Sequence, residues 1–381
     1  MCDRRRAPAC RVAFAAMVVT ALPADSQTPS WQPADSAYVW SFPRDHWSHA
    51  GYQTEWWYLT GHLTPVGDTA PRFGYQFTFF RVGLLPSGPE LQSTWAASDL
   101  IMGHAALTDR RTGQHRFSEL VYRATPLLGA FHPFPDTLLA WSRGPPGTGE
   151  RWTLTWNGAA FNVAMRDTRA RTGFALTTRP AKPLVFQGPN GFSRKGHGPT
   201  AASQYYSFTR LATRGTVVVD GDTLPVEGTS WMDKEFGSNQ LGAGQVGWDW
   251  FSLHLDDGRE LMLYVLRDST GGVDYGRGTV VAGSGTVRFL TPADWTIDVR
   301  ARWRSDATGA VYPARWRVRV PSAGLELDLE PVVANQENVS RLIADLAYWE
   351  GAVVVRDGRG AVIGRGYIEL TGYAVLGRLP L

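Results

Sequence analysis

The sequence predicts an all-β protein made of two antiparallel barrels in tandem. Three observations carry this. Short segments alternate apolar and polar residues with period two, turn dipeptides separate them, and 381 residues are enough for two such units.

The alternating segments are residues 74–82, 152–156, 261–266, 295–303, 314–320, 325–329 and 366–373. Aromatic and β-branched side chains fill them, which suits a pleated, half-buried surface. Asp220-Gly221, Asp257-Gly258 and Asp357-Gly358 read as tight turns between strands. Residues 339–348 alone have helical spacing, over a short stretch. Two units of about 150–190 residues fall in the size range of single barrels. Sixteen tryptophans favour barrels with aromatic-lined interiors over a thin sandwich. Each buried indole N–H then needs an acceptor.

The N-terminus has a different character. Arg4, Arg5, Arg6 and Arg11 form a basic start, residues 12–22 are an apolar run, and Ala24, Asp25 and Ser26 follow. That order predicts a secretory signal over residues 1–26, too short to span a bilayer, and an exported protein, periplasmic or secreted. Cys2 and Cys10 would leave with it, so the mature chain would hold no disulfide. The segment carries four arginines against Asp3 and Asp25, so the net charge of +3 falls to about +1 without it. Residues 27–45, rich in Pro and Ser, read as a linker. Gly-rich breaks at 187–203 and 237–247 compete for the domain junction. Placing it at the second gives an N-terminal domain over 46–240 and a C-terminal one over 241–381.

Several function classes are excluded. No G-x-S-x-G supplies a nucleophile elbow. No H-E-x-x-H or Cys/His cluster offers a metal site, and nothing implies a cofactor. No basic patch interleaved with aromatics suggests nucleic acid. Residues 242–247 match G-x-G-x-x-G, but they lead into an alternating segment, whereas a dinucleotide fingerprint must open a helix. His46 and His49, flanking Trp47, read as surface residues.

What stands out is a set of acids among aromatics. Glu55 precedes Trp56, Trp57 and Tyr58. Asp233 and Glu235 lie between Trp231 and Phe236, Asp249 separates Trp248 from Trp250, Glu350 follows Trp349, and Glu369 follows Tyr367 and Ile368. Alternate side chains of a strand share a face. Trp231, Asp233 and Glu235 therefore point one way, and Met232, Lys234 and Phe236 the other. Glu55 and Trp57 share a face opposite Trp56 and Tyr58. One reading is that these acids are acceptors for indole N–H groups and arginines. The other is a carboxyl group in an apolar pocket, whose pKa rises with desolvation until it can act as a general acid.

The blocks TEWWYLTGHL (54–63), SWMDKEFGS (230–238), GWDWFSLHLDDGRELMLYVLRD (247–268) and YWEGAVVV with GRGYIELTGY (348–373) resemble the AttH-like family, secreted relatives of carotenoid 1,2-hydratase. The resemblance spans about residues 54–373. It implies two lipocalin-like β-barrel domains. It also implies a range of activities: hydration of isoprenoid or isoflavonoid double bonds, pericyclic cyclisation, or the hydrolase label of many secreted bacterial members. In the family's hydratases an acid protonates the alkene, and the position here that best matches it is Asp233. The photosynthetic hydratases carry Asp-His-Asn where this chain has Asp233-Lys234-Glu235, which argues against a carotenoid substrate.

Three functions follow as expectations. The first is hydration or isomerisation of a C=C bond in an apolar, isoprenoid- or lipid-like molecule, with Asp233 and Glu235 catalytic. The second is a non-catalytic periplasmic lipid carrier or chaperone. The third is a secreted hydrolase. The ligand wall is expected from Glu55, Trp57, Trp231, Trp248, Asp249, Trp250, Trp349 and Glu350. The expected partner is an apolar small molecule, with transient membrane or export-system association, and the oligomeric state stays open.

Overall fold

The structure is a computed structural model that describes residues 30–89, 93–242 and 244–374. The expected signal segment and both cysteines lie outside the described residues. The described chain is almost entirely antiparallel β. The first sheet contains β1 (Thr54–Pro65), β2 (Phe73–Gly83), β3 (Asp99–Asp109), β4 (Gln114–Arg123), β5 (Gly129–Phe131), β6 (Leu138–Arg143), β7 (Arg151–Trp156), β8 (Phe161–Asp167), β9 (Thr172–Pro180), β10 (Val185–Phe186), β11 (Phe192–Arg194), β12 (Ala202–Val219) and β13 (Asp222–Asn239). The second contains β14 (Gln245–Leu255), β15 (Glu260–Asp268), β16 (Val273–Val281), β17 (Val287–Leu290), β18 (Thr296–Arg304), β19 (Val311–Val320), β20 (Leu325–Pro331), β21 (Glu337–Val339), β22 (Ala347–Arg356) and β23 (Val362–Leu370). Both curl into lipocalin-like barrels, and the chain passes from one to the other between Asn239 and Gln245.

Local chemistry explains much of this. Asp220 and Gly221 form a two-residue turn between β12 and β13, with φ of 54° and 99°. Positive φ at both positions matches the twist of the hairpin they join. Two expectations fail at this level. Residues 339–348 form no helix. They run from the end of β21 through turns into β22, where the alternation of Tyr348 and Glu350 against Trp349 matters more than the helical spacing. The expected surface position of His46 fails too. Trp40 donates to the Asn190 carbonyl at 2.9 Å, and buried His46 bonds Tyr206 at 2.7 Å. His46 is therefore a core residue, and burial first, then Lys234, lowers its pKa to about 3.

Each barrel has its own apolar core. Trp57, Leu59, Phe77, Trp152 and Met232 belong to the first, and Phe251, Leu263, Trp316, Trp349 and Ile368 to the second. A third cluster lies between them: Tyr58, Tyr205, Trp231, Trp250, Tyr264 and Tyr367. The outer faces of β1, β2, β12 and β13 thus pack on those of β14, β15, β22 and β23. His62 bonds the Gly366 carbonyl at 2.9 Å, His104 bonds Tyr348 at 2.8 Å, and His254 bonds the Thr209 carbonyl at 2.6 Å. Glu260 binds Lys182 at 2.8 Å and Arg210 at 2.5 Å across the same seam. Gly74 permits the approach, since a Cβ there would lie 2.6 Å from the Ala352 Cβ.

Candidate active site between the barrels

The seam does not close everywhere. It leaves a partly enclosed cleft, lined by β1, β2 and β13 on one side and β14, β22 and β23 on the other. Strand register decides what enters it. Opposite β1, Trp56 faces Glu235 and Tyr58 faces Asp233, while Glu55 faces Phe236 and Trp57 faces Lys234. Directly paired residues share a face. Trp56, Tyr58, Asp233 and Glu235 therefore form one outer face, continued by Thr78 and Phe80 from β2 and by Tyr205 from β12. Across the cleft, Glu350, Glu369, Trp250 and Tyr264 lie in one row over β22, β23, β14 and β15.

Asp233 is buried and fully engaged. Its Oδ1 accepts from Trp231 Nε1 at 2.6 Å and Ser207 Oγ at 2.5 Å, and its Oδ2 from Tyr205 at 2.7 Å. Burial drives its pKa up, the three donors oppose this, and nearby Glu235 adds to it. The net result is a pKa raised to about 7. Glu235 accepts from Ser203 and pairs with Lys195 at 2.7 Å. The Lys195 ammonium also lies over the rings of Tyr205 and Tyr264, 4.8 and 4.4 Å from their centroids.

The opposite wall holds a second pair of acids. Glu350 and Glu369 face each other directly across β22 and β23. Trp248 Nε1 donates to Glu369 at 2.8 Å. Burial, with Asp233 and Glu235 adding and Trp248 opposing, raises Glu369 to about 7. Burial first, then Glu369, pushes Glu350 well above the usual carboxylate range. The hydroxyls of Tyr58 and Tyr348 flank Glu350, yet neither Glu350 Oε1 nor Tyr58 Oη meets a partner in hydrogen-bonding geometry. Gln76 Oε1 and Gln240 Oε1, on the same lining, are also unpartnered.

Of the residues expected at the site, the cleft brings together Asp233, Glu235, Trp248, Trp250 and Glu350. Trp231 stands behind Asp233 as its donor. Four others lie elsewhere. Glu55 and Trp57 point into the first barrel, where Glu55 is held by His49 at 2.6 Å, by Arg81 at 3.0 Å and by Lys234. Asp249 binds Arg267 at 2.9 Å and Tyr373 at 3.0 Å. Trp349 sits in the second core with its indole on the Ala334 carbonyl at 2.9 Å. Alternation groups residues by face but leaves open which face is the inside, and on β1 the register reverses the expectation. The expected place of the cavity changes too, from the barrel interiors to the seam between them.

Sequence reasoning missed Trp56, Tyr58, Tyr205, Lys195 and Glu369 as cleft residues. Trp56 and Tyr58 were visible as the alternative face of β1. Glu369 was visible as a further acid beside an aromatic. Lys195 sits in the Gly-rich stretch 187–203, and no periodicity there points to a site.

Comparison with known proteins gives the lineage. The AttH-like family model matches residues 33–373. The chain belongs to the AttH-like family. A solved putative AttH from Nitrosomonas europaea is 32% identical, with a TM-score of 0.77 over 90% of this chain and 99% of that one. Kievitone hydratase from Nectria haematococca shares the fold at 14% identity, with a TM-score of 0.61 over 90% of this chain and 96% of that one. Among curated proteins, the dehydratase asqC of Emericella nidulans is 26% identical over 171 residues. That match covers 41% of this AttH-like chain and 45% of the relative, so the chain spans under half of the relative's length.

Proposed function

We propose that this protein adds water to, or removes it from, a C=C bond of an apolar small molecule held in the cleft between the barrels. One observation carries the reading. Among the described residues, four carboxyls, Asp233, Glu235, Glu350 and Glu369, share the cleft with one ammonium, Lys195, amid aromatic walls. Such a surplus of acid in a water-poor site keeps a carboxyl protonated at neutral pH, and alkene hydration requires an acid of that kind. The faces of Trp56, Trp248 and Trp250 suit the developing carbocation, because ring quadrupoles attract positive charge. Relatives named as a hydratase and a dehydratase support the same class. Asp233 and Glu235 are the catalytic candidates. Glu235, ion-paired with Lys195, orients the water, and Asp233 exchanges a proton with it or with the substrate. The basic, apolar N-terminal segment supports export.

The test is incubation with geraniol and farnesol in oxygen-18 water. Uptake of label with turnover, abolished in an Asp233→Asn variant that still unfolds cooperatively, is the expected result. A carrier is the second reading, favoured by the three donors that satisfy Asp233 as an acceptor. It predicts that wild type and Asp233→Asn bind these alcohols alike and neither incorporates label.

A further inference from the structure

The cleft's two acid pairs are built differently. Each Asp233 oxygen receives at least one hydrogen bond from a donor fixed by the fold. Donors aimed at a carboxylate favour its charged form, which suits a proton acceptor better than a donor. Glu350 is the opposite case. It is 1% exposed, lines the cleft, has an unpartnered oxygen and makes no salt bridge among the described residues.

Its titratable surroundings are equally plain. From its own strand comes Tyr348, from β23 Glu369 and Tyr367, from β1 Tyr58, and from β13 Asp233 and Glu235. Tyr348 is bonded to His104, which burial lowers to about 3 and so keeps neutral. Lys195, the ammonium of the cleft, is committed to Glu235. Among the described residues no other cation lines the cleft with Glu350, and a like acid stands directly across the strand pair. Two such carboxyls cannot both ionise cheaply.

We infer that Glu350 is the proton donor to the alkene, kept in its acid form by Glu369 opposite, and that Asp233 accepts the proton released by water. This assignment rests on the C=C reading above. The Glu350 O–H bond breaks as the alkene's π pair forms a new C–H bond, leaving the positive charge on the neighbouring carbon. Water's oxygen bonds to that carbon, and its surplus proton passes to Asp233. Glu350 ends as a carboxylate and Asp233 as an acid, and exchange with solvent at the mouth resets both. The carbocation forms while Glu350 becomes negative beside Glu369, so each charge offsets the other as it develops. Unpartnered Tyr58 Oη and Gln76 Oε1 lie on the same lining and fit a substrate that carries a hydroxyl near its double bond.

The experiment is an infrared titration of the protonated-carboxyl carbonyl band in full-length wild type, Glu350→Gln, Glu369→Gln and Asp233→Asn. The wild type should keep one carboxyl protonated to a higher pH than the other acids of the cleft. Glu350→Gln should abolish it, Glu369→Gln should move its midpoint to lower pH, and Asp233→Asn should leave it in place. A band that survives Glu350→Gln, a midpoint unmoved in Glu369→Gln, or loss of the band in Asp233→Asn overturns the assignment. Should a glutamine variant fail to fold, the folded wild type still decides, because a protein whose carboxyls all titrate in the usual range overturns it. Turnover of farnesol undiminished in Glu350→Gln removes the donor role and leaves the C=C reading standing. A correct infrared pattern with neither alcohol hydrated removes the C=C reading instead.

Discussion

The two faces of one strand pair, β1 with β13, both bury carboxyl groups and treat them in opposite ways. On the inner face Glu55 meets Lys234, His49 and Arg81, with Arg81 bonded also to Asp99 at 2.6 Å. Burial alone would raise its pKa, but Lys234 first, then His49 and Arg81, outweigh burial and hold it far below the usual range. On the outer face, one residue along from Lys234, Asp233 meets neutral donors and another acid, and its pKa rises to about 7. Burial is common to both, so burial does not decide between structure and chemistry. The local count of cations against acids does. An acid matched by cations holds the fold together, and an acid in excess holds a proton.

The strongest way to break this comparison is at the neighbouring tryptophans. Trp57 is fully buried, donates to the His46 carbonyl at 2.7 Å and carries the Lys234 ammonium 3.6 Å from its ring centroid. Trp57→Ala should cost roughly 3–5 kcal/mol in urea unfolding, with ligand affinity unchanged in the protein that remains folded. Trp56→Ala, on the cleft side, should cost less than about 1 kcal/mol and lose ligand affinity. Equal stability losses in the two variants would refute the assignment of faces.

Next comes Lys234. Lys234→Met leaves Glu55 buried with Arg81 and His49 but without its closest cation. A loss of about 3 kcal/mol is expected, near the low end for breaking a buried pair. Chemical denaturation checks this, and a loss near zero would mean that Arg81 and His49 suffice.

The two faces should also respond to pH with opposite sign. Asp233 has a folded pKa above its unfolded value. Its contribution to stability is full below about pH 4 and is lost as pH rises to about 7. Glu55 has a folded pKa below its unfolded value. Its contribution is present above about pH 4.5 and is lost as pH falls. Asp233→Asn should therefore flatten the decline between pH 4 and 7, by an amount on the order of a few kcal/mol, and leave the acid limb intact. Melting curves at a series of pH values would show it, and an unchanged slope would count against a raised Asp233.

The smallest effect sharpens the comparison further. Tyr205→Phe removes one of the three donors to Asp233. Stability should fall by about 1 kcal/mol, and the Asp233 midpoint in the infrared titration should rise, because a donor to the charged form is gone. A midpoint that falls would show that Tyr205 acts on Asp233 by some other route.

Much of this protein was legible in its sequence. Period-two alternation is a direct consequence of the pleat, so the strands around Phe77, Met262 and Trp316 could be read without a structure, and Asp220-Gly221 could be read as a hairpin turn. The same periodicity correctly grouped Trp231 with Asp233 and Glu235, and Glu55 with Trp57. Period two stops there. It sorts side chains into two faces and gives no sign of which face turns inward or which strand lies alongside. That β1 sets Trp56 against Glu235, and Glu55 on the far side with Lys234, depends on register, and register is a long-range property of residues nearly 180 positions apart. The place of the cleft depends on one step more, the docking of one barrel on the other. Only that brings Glu350 and Glu369 to the acids of β13, and only there does the balance of acid over cation become a physical quantity.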